Sequence, residues 1–162
     1  MDTEQRAHYH GILSVINSLD KTSLDIIERK QYPVVSQLPD VIAHLDGCDG
    51  CVIFAFEYLS VDKGCFHKGL VDSTNKDHQE IENVKFASPW LHIEAAMANG
   101  KNMPCLIIYD KGLRRDGMFD EKIVNPDKNL FAMEYTDNIN TDDDIIKRWM
   151  SRVHEYHYRT KG

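Results

Sequence analysis

The chain has 162 residues, 42% of them hydrophobic, which is enough for one domain with a proper core and too few for two ordinary ones. A formal net charge of −7 and a pI near 5.5 argue against a nucleic-acid or anionic-membrane surface, and no apolar run approaches the roughly 20 residues of a membrane helix. Four cysteines do not suggest a disulfide scaffold, and the polar start Met1 to His10 is not signal-like, so a cytoplasmic protein forming a single domain over 1–162 is expected.

Ile12, Val15, Ile16 and Leu19 recur at helical spacing and predict a first amphipathic helix over Glu4 to Leu19. Ser23 to Glu28 predicts a short strand. Val34, Leu38, Val41, Ile42 and Leu45 form a second helical stripe, interrupted early by Pro39. Cys51 to Phe56 is short and almost wholly apolar, as a strand covered on both faces is. Tyr58 to Ala87 shows little periodicity, and loops of that length are usually functional lids or disordered. Ser88 is a favourable N-cap and Pro89 fits the first helical position, so a third helix runs to Asn99 with Gly100 as its stop. Pro104 then opens the apolar strand Cys105 to Tyr109. Asp110 to Asn129 is a second long connection, followed by a fourth strand over Leu130 to Tyr135. Thr141 with Asp142, Asp143 and Asp144 caps a last helix whose stripe is Ile145, Ile146, Trp149, Met150 and Val153. Alternation of this kind predicts an α/β fold, a parallel sheet wrapped by helices. Both long connections follow the C-terminal end of a strand, the edge where open α/β sheets bind ligands.

Chemistry concentrates around the third helix. Trp90 and Glu94 lie four apart and share one face of its first turns. A carboxylate there can attack or stabilise a sugar C1 as a leaving base departs, because that transition state resembles an oxocarbenium ion. The same residue near a helix start also complements the helix dipole. Trp90 offers a stacking wall for a base or nicotinamide ring, or plain packing. His92 points to another face and reads as structural or solvent-exposed. Cys48 and Cys51 form a C-x-x-C that Cys65 and His67 could extend to zinc, but a second ligand pair at metal spacing is missing, and no metal is expected. Asp46 to Gly50 reads as a helix stop and turn. Gly112 to Gly117 places Arg114 and Arg115 in a loop, where they could face phosphates or simply be solvated.

The Trp-x-x-x-Glu of Trp90 to Glu94, preceded by Ser88 and a strand ending near Phe56, resembles Toll/interleukin-1 receptor (TIR) domains. Glu94-Ala-Ala-Met-Ala-Asn-Gly-Lys101, followed by Pro104-Cys-Leu-Ile-Ile, looks equally like nucleoside 2-deoxyribosyltransferases, in which a helix bearing the catalytic Glu runs into a Gly-Lys-Pro strand. The resemblance spans Val41 to Asp120. It implies a flavodoxin-like (Rossmannoid) fold and cleavage or transfer at a ribose C1, with Glu94 as nucleophile or oxocarbenium stabiliser. Trp90 and Phe56 would wall the base, Ser88, Glu57, Asp46 and Gly112 would line the substrate site, and the 58–87 segment would close over it. On the TIR side NAD is a substrate rather than a cofactor, and such prokaryotic domains commonly serve in antiphage defence. On the transferase side a nucleoside exchanges its base, with an aspartate positioning the base; Asp46 and Asp110 are the two options here. No cofactor, metal, nucleic acid or membrane is implied. Both families open with a hydrophobic strand in the middle of the sheet, whereas this chain opens with polar residues and a helix. A missing central strand predicts a homo-oligomer, a partner chain that supplies the strand, or an inactive relative. The alternative from another class is a non-catalytic nucleotide-binding or assembly module.

Overall fold

The computed structural model describes residues 3–19, 25–28, 37–66, 79–140 and 143–161. In chain order they form α1 (Thr3–Leu19), α2 (Gln37–Gly47), β1 (Cys51–Ala55), β2 (Leu59–Phe66), β3 (Gln79–Phe86), α3 (Pro89–Gly100), β4 (Cys105–Tyr109), β5 (Leu130–Glu134) and α4 (Asp144–Lys161). The fold is mixed α/β. β1, β4 and β5 make a parallel sheet in the order β1-β4-β5, while β2 and β3 pair with each other as an antiparallel ribbon, with one parallel bridge from Lys85 to Leu113.

Strand periodicity sorts the core into two layers. Ile53, Ala55, Cys105, Ile107 and Leu130 face the layer that holds Val41 and Leu45 of α2 and Ala95 and Ala98 of α3. Leu106, Ile108, Phe131 and Met133 face the other, with Ile12 and Ile16 of α1 and Ile146, Trp149, Met150 and Val153 of α4. β4 lies in the middle with both faces covered, so Cys105 to Ile108 are all buried and the sequence shows an unbroken apolar run there. The Trp149 indole N–H donates to Pro104 O at 3.2 Å, tying α4 to the start of β4. Asp143 caps α4 by accepting from the Ile145 N–H at 2.9 Å; Thr141 and Asp142, named with it as caps, lie outside the described residues, as does Val34 of the second stripe. No described helix is long and apolar enough to cross a membrane.

Two expectations change, and a third segment gains detail. Of the strand expected over Ser23 to Glu28, residues 23–24 lie outside the described residues and 25–28 carry no strand; Ile26 and Ile27 are exposed there. The 58–87 segment is not an unstructured loop but the β2–β3 ribbon, with 67–78 outside the described residues. Its pattern hides it because the apolar side chains do not keep a period of two: Val61 and Ile81 both flank Gly64, and Phe66 meets the ring of Phe86 at 6.1 Å, so Ile81 and Phe86, five apart, share a face of the ribbon. Between them Asn83 takes φ 52°, and the ladder skips the Asp62–Asn83 pair. The 110–129 connection folds back onto the body: Leu113 and Phe119 are buried, and two 3₁₀ turns, Gly117–Phe119 and Pro126–Lys128, stand where a crossover helix would.

Candidate functional site

The C-terminal ends of the three parallel strands meet at one edge. The Asp110 N–H donates to Ala55 O at 3.1 Å, and the Tyr135 N–H donates to Tyr109 O at 2.8 Å, so the residues just past β1, β4 and β5 are adjacent. Phe56 and Glu57 therefore stand beside Asp110, and the Glu57 N–H donates to Asp110 Oδ2 at 3.2 Å. The first turns of α1 reach this edge, where Gln5 Nε2 donates to Glu57 O at 3.0 Å. The ribbon reaches it too. Lys85 Nζ lies 2.6 Å from Glu57 Oε2, and the Arg114 N–H donates to Lys85 O at 2.8 Å. The hydrogen bond and charge of Glu57 raise the Lys85 ammonium, with smaller help from Asp110 and Glu4, so the group stays a cation.

His8 completes the cluster. Its ring stacks on Tyr135 with centroids 3.9 Å apart and 23° between planes, and it lies 6.4 Å from Phe56. Nδ1 sits 3.8 Å from Asp110 Oδ1; it is buried and makes no hydrogen bond, while Nε2 lies 4.0 Å from Glu4 Oε1. Burial, then Asp137 by charge and hydrogen bond, then Asp110, push the Tyr135 phenol up, so it stays a neutral donor. The sequence carries one signal for His8: it continues the Ile12–Ile16 stripe of α1 at intervals of four, a polar residue on a core-facing row. Lys85 and Tyr135 carry none.

α3 springs from the same edge. Ser88 holds the N-cap position in extended geometry, Pro89 starts the helix, and the Ser88 carbonyl accepts from the Leu91 N–H at 3.0 Å, but its hydroxyl makes no capping bond. Trp90 follows in the first turn, 36% exposed. Glu94 is half-buried one turn deeper on the same flank, and its charge is felt by the Cys105 thiol. His92 lies on the opposite flank, stacked on Phe119 at 4.1 Å with Nε2 3.7 Å from Asp116 Oδ1. Burial lowers the His92 imidazole, and Asp116 only partly opposes this.

The other residues named from sequence fall elsewhere or take other roles. Asp46 pairs with Lys101 just past the end of α3, at the opposite edge of the sheet from Phe56 and Glu57. Gly112 takes φ 78° in the turn after Asp110, with open space around it. Arg114 lies over Phe66 at 4.4 Å with Nε 3.3 Å from Asp116 Oδ2. Arg115 lies over Tyr109 at 4.8 Å with Nη1 2.6 Å from Glu121 Oε1, so both guanidinium groups brace the 110–129 connection. Cys51 and Cys105 are register partners at the far edge, with Cys48 packed nearby. A hydrogen bond to Cys51 and complete burial raise the Cys105 thiol well above its ordinary range, which suits packing rather than reactivity. Cys65 stands apart in β2, and His67 lies outside the described residues. Among the described residues no three His, Cys, Asp or Glu side chains are grouped to hold a metal ion.

No protein-family model matches the chain, and no curated protein or solved structure matches it either.

Proposed function

We propose that this protein cleaves or transfers the N-glycosidic bond of NAD or a related nucleotide, with Glu94 acting on ribose C1 and Trp90 and Phe56 flanking the base. The observation that carries this reading is the convergence at one strand-end edge. Phe56, Glu57, Asp110, His8 and Tyr135 meet there, and the helix bearing Trp-x-x-x-Glu rises from it. Two helices on each face of a parallel sheet, with the acidic residues at the carboxyl ends of its strands, support a flavodoxin-like reading of the fold. A second reading, base exchange between nucleosides, is favoured by Asp110, a carboxylate at the same edge with one oxygen facing His8.

The test is incubation of the purified protein and of Glu94→Gln with NAD and with deoxynucleosides, followed by chromatography of released bases. Base release is expected from the native chain and is expected to fall at least about 10²-fold in the variant, the low end for losing a group that acts on the reacting atoms. Release that survives in Glu94→Gln removes Glu94 from the mechanism. Thermal stabilisation by nucleotide without any turnover assigns the edge to binding alone.

A further inference from the structure

We propose that Cys48 and Cys51 form a reversible disulfide, made by exchange with a low-molecular-weight disulfide, at the edge of the sheet opposite the candidate site. The inference is independent of the glycosidic-bond reading. Its basis is a cluster of three free thiols where α2 turns into β1. The run Gly47-Cys48-Asp49-Gly50-Cys51 ends α2, bends at Asp49 and opens β1. Cys48 and Cys51 are both half-buried, packed against the core layer that holds Cys105. The Cys48 thiol feels the charge of Cys51, and Cys51 also meets the Cys105 thiol.

Bonds to distant segments fix this turn around the pair. The Cys48 N–H donates to Leu45 O at 3.2 Å, and the Cys51 N–H donates to Pro104 O at 2.9 Å. Between them Asp49 is strapped to the last turns of α4, with Oδ2 2.9 Å from His157 Nδ1 and Oδ1 2.9 Å from Lys161 Nζ. Lys161 Nζ also donates to Gly47 O at 3.3 Å, and Gly50 lies hard against Val153 and Trp149. A dithiol whose backbone is already held loses little conformational freedom on closing, which favours the bridge over the open thiols.

Geometry also selects the pair. Cys51 and Cys105 are register partners on parallel strands, which lie about 4.8 Å apart, whereas a disulfide holds its Cβ atoms about 3.8 Å apart. Bridging them would distort a ladder covered by helices on both faces. Cys48 stands before the ladder, so its approach to Cys51 disturbs no strand pairing. In the first step the Cys48 thiolate attacks one sulfur of the small disulfide, whose S–S bond breaks and releases one thiolate. The Cys51 thiolate then attacks Cys48 Sγ, breaks the mixed disulfide and releases the second. The two protons lost by the cysteines go to the two released thiolates, so one small disulfide is reduced as the cysteine pair is oxidised. Burial, then Cys51 and Asp49, push the Cys48 thiol up, and Lys161 only partly opposes them. Thiolate is therefore scarce at neutral pH, and the pair answers a sustained change in thiol–disulfide balance rather than a brief pulse of oxidant. The other charged and titratable groups around the turn are Asp46, Lys101 after α3, and His157 of α4.

The test equilibrates the native chain with mixtures of reduced and oxidised glutathione, quenches with acid, alkylates the remaining thiols and maps the linked peptides. Two of the four cysteines should become protected together, with Cys48 joined to Cys51. Cys51→Ser should stop at a mixed disulfide between Cys48 and glutathione, and Cys105→Ala should keep the bridge. The equilibrium constant for the bridge should be at least about tenfold larger in the native chain than in the same chain unfolded in urea, because only the folded chain holds the turn. Its initial rate should rise about tenfold per pH unit between about pH 7 and about pH 8.5, as the thiolate fraction does. Any other pairing, including Cys51 with Cys105, overturns the proposal. So does a lasting mixed disulfide at Cys48 in the native chain, an equal constant in folded and unfolded chains, or four thiols that stay reduced across the whole range.

Discussion

Gly50 offers a sharp test of how α4 seats against the sheet. A methyl group added there would lie 2.6 Å from Val153 Cγ2, 3.4 Å from Trp149 Cζ2 and 3.5 Å from Pro104 O. Carbon atoms do not approach to 2.6 Å, and Val153 and Trp149 are both buried, so something has to move. Little slack exists, because Pro104 O already accepts from the Trp149 indole N–H at 3.2 Å and from the Cys51 N–H at 2.9 Å. Gly50→Ala therefore sets overpacking of about 1–3 kcal/mol against about 0.4–1 kcal/mol gained from a stiffer unfolded chain. Net destabilisation of about 1.5 kcal/mol is expected, measured by urea unfolding with the m-value held constant. Val153→Ala alone should cost about 2 kcal/mol as a cavity. The double variant removes the clashing methyl and fills part of that cavity, so it should be about 1–2 kcal/mol more stable than the sum of the singles. Additive changes, or a Gly50→Ala chain more stable than the native one, would refute this packing at the α4–β1–β4 junction.

Two further outcomes follow from the same reasoning. Phe119 is fully buried in the 110–129 connection, so Phe119→Ala should destabilise the whole fold by about 3–5 kcal/mol; native stability in that variant would refute the packing of this connection against the body. His92 is held neutral by burial, so its contribution to stability is complete above the ordinary histidine range near about pH 6.5 and is lost as pH falls through its lowered folded value. Between about pH 7.5 and about pH 5.5 the native chain should therefore lose more thermal stability than His92→Phe does, and parallel curves for the two would contradict it.

Much of the framework was legible along the chain. β4 announced itself because a strand between two others, with helices on both faces, has no polar side to show, and Cys105 to Ile108 have none. α4 was equally plain, since Ile146, Trp149, Met150 and Val153 bury one stripe and leave the rest in water. The ribbon was not legible. β2 and β3 satisfy mainly each other's ladder, with one bridge from Lys85 to Leu113, stay largely exposed, and break the period of two at Asn83, so no single period marks them. Phe119 was hidden for a different reason, as a lone apolar residue in a loop says nothing of what it will pack against.

The candidate site divides in the same way. Trp90 and Glu94 share a flank because a helix places residues four apart on one side, and Phe56 and Asp110 lie at strand ends because their apolar runs stop there; both facts are local and the sequence determined them. Only the tertiary structure decided that Asp110 meets Glu57 and His8 while Asp46 is drawn to Lys101 at the opposite edge. Those choices depend on the order β1-β4-β5 and on α1 crossing the sheet so that its first turns reach the strand ends. Periodicity reports which face of an element is buried, whereas what that face meets is settled by packing between segments far apart in the chain.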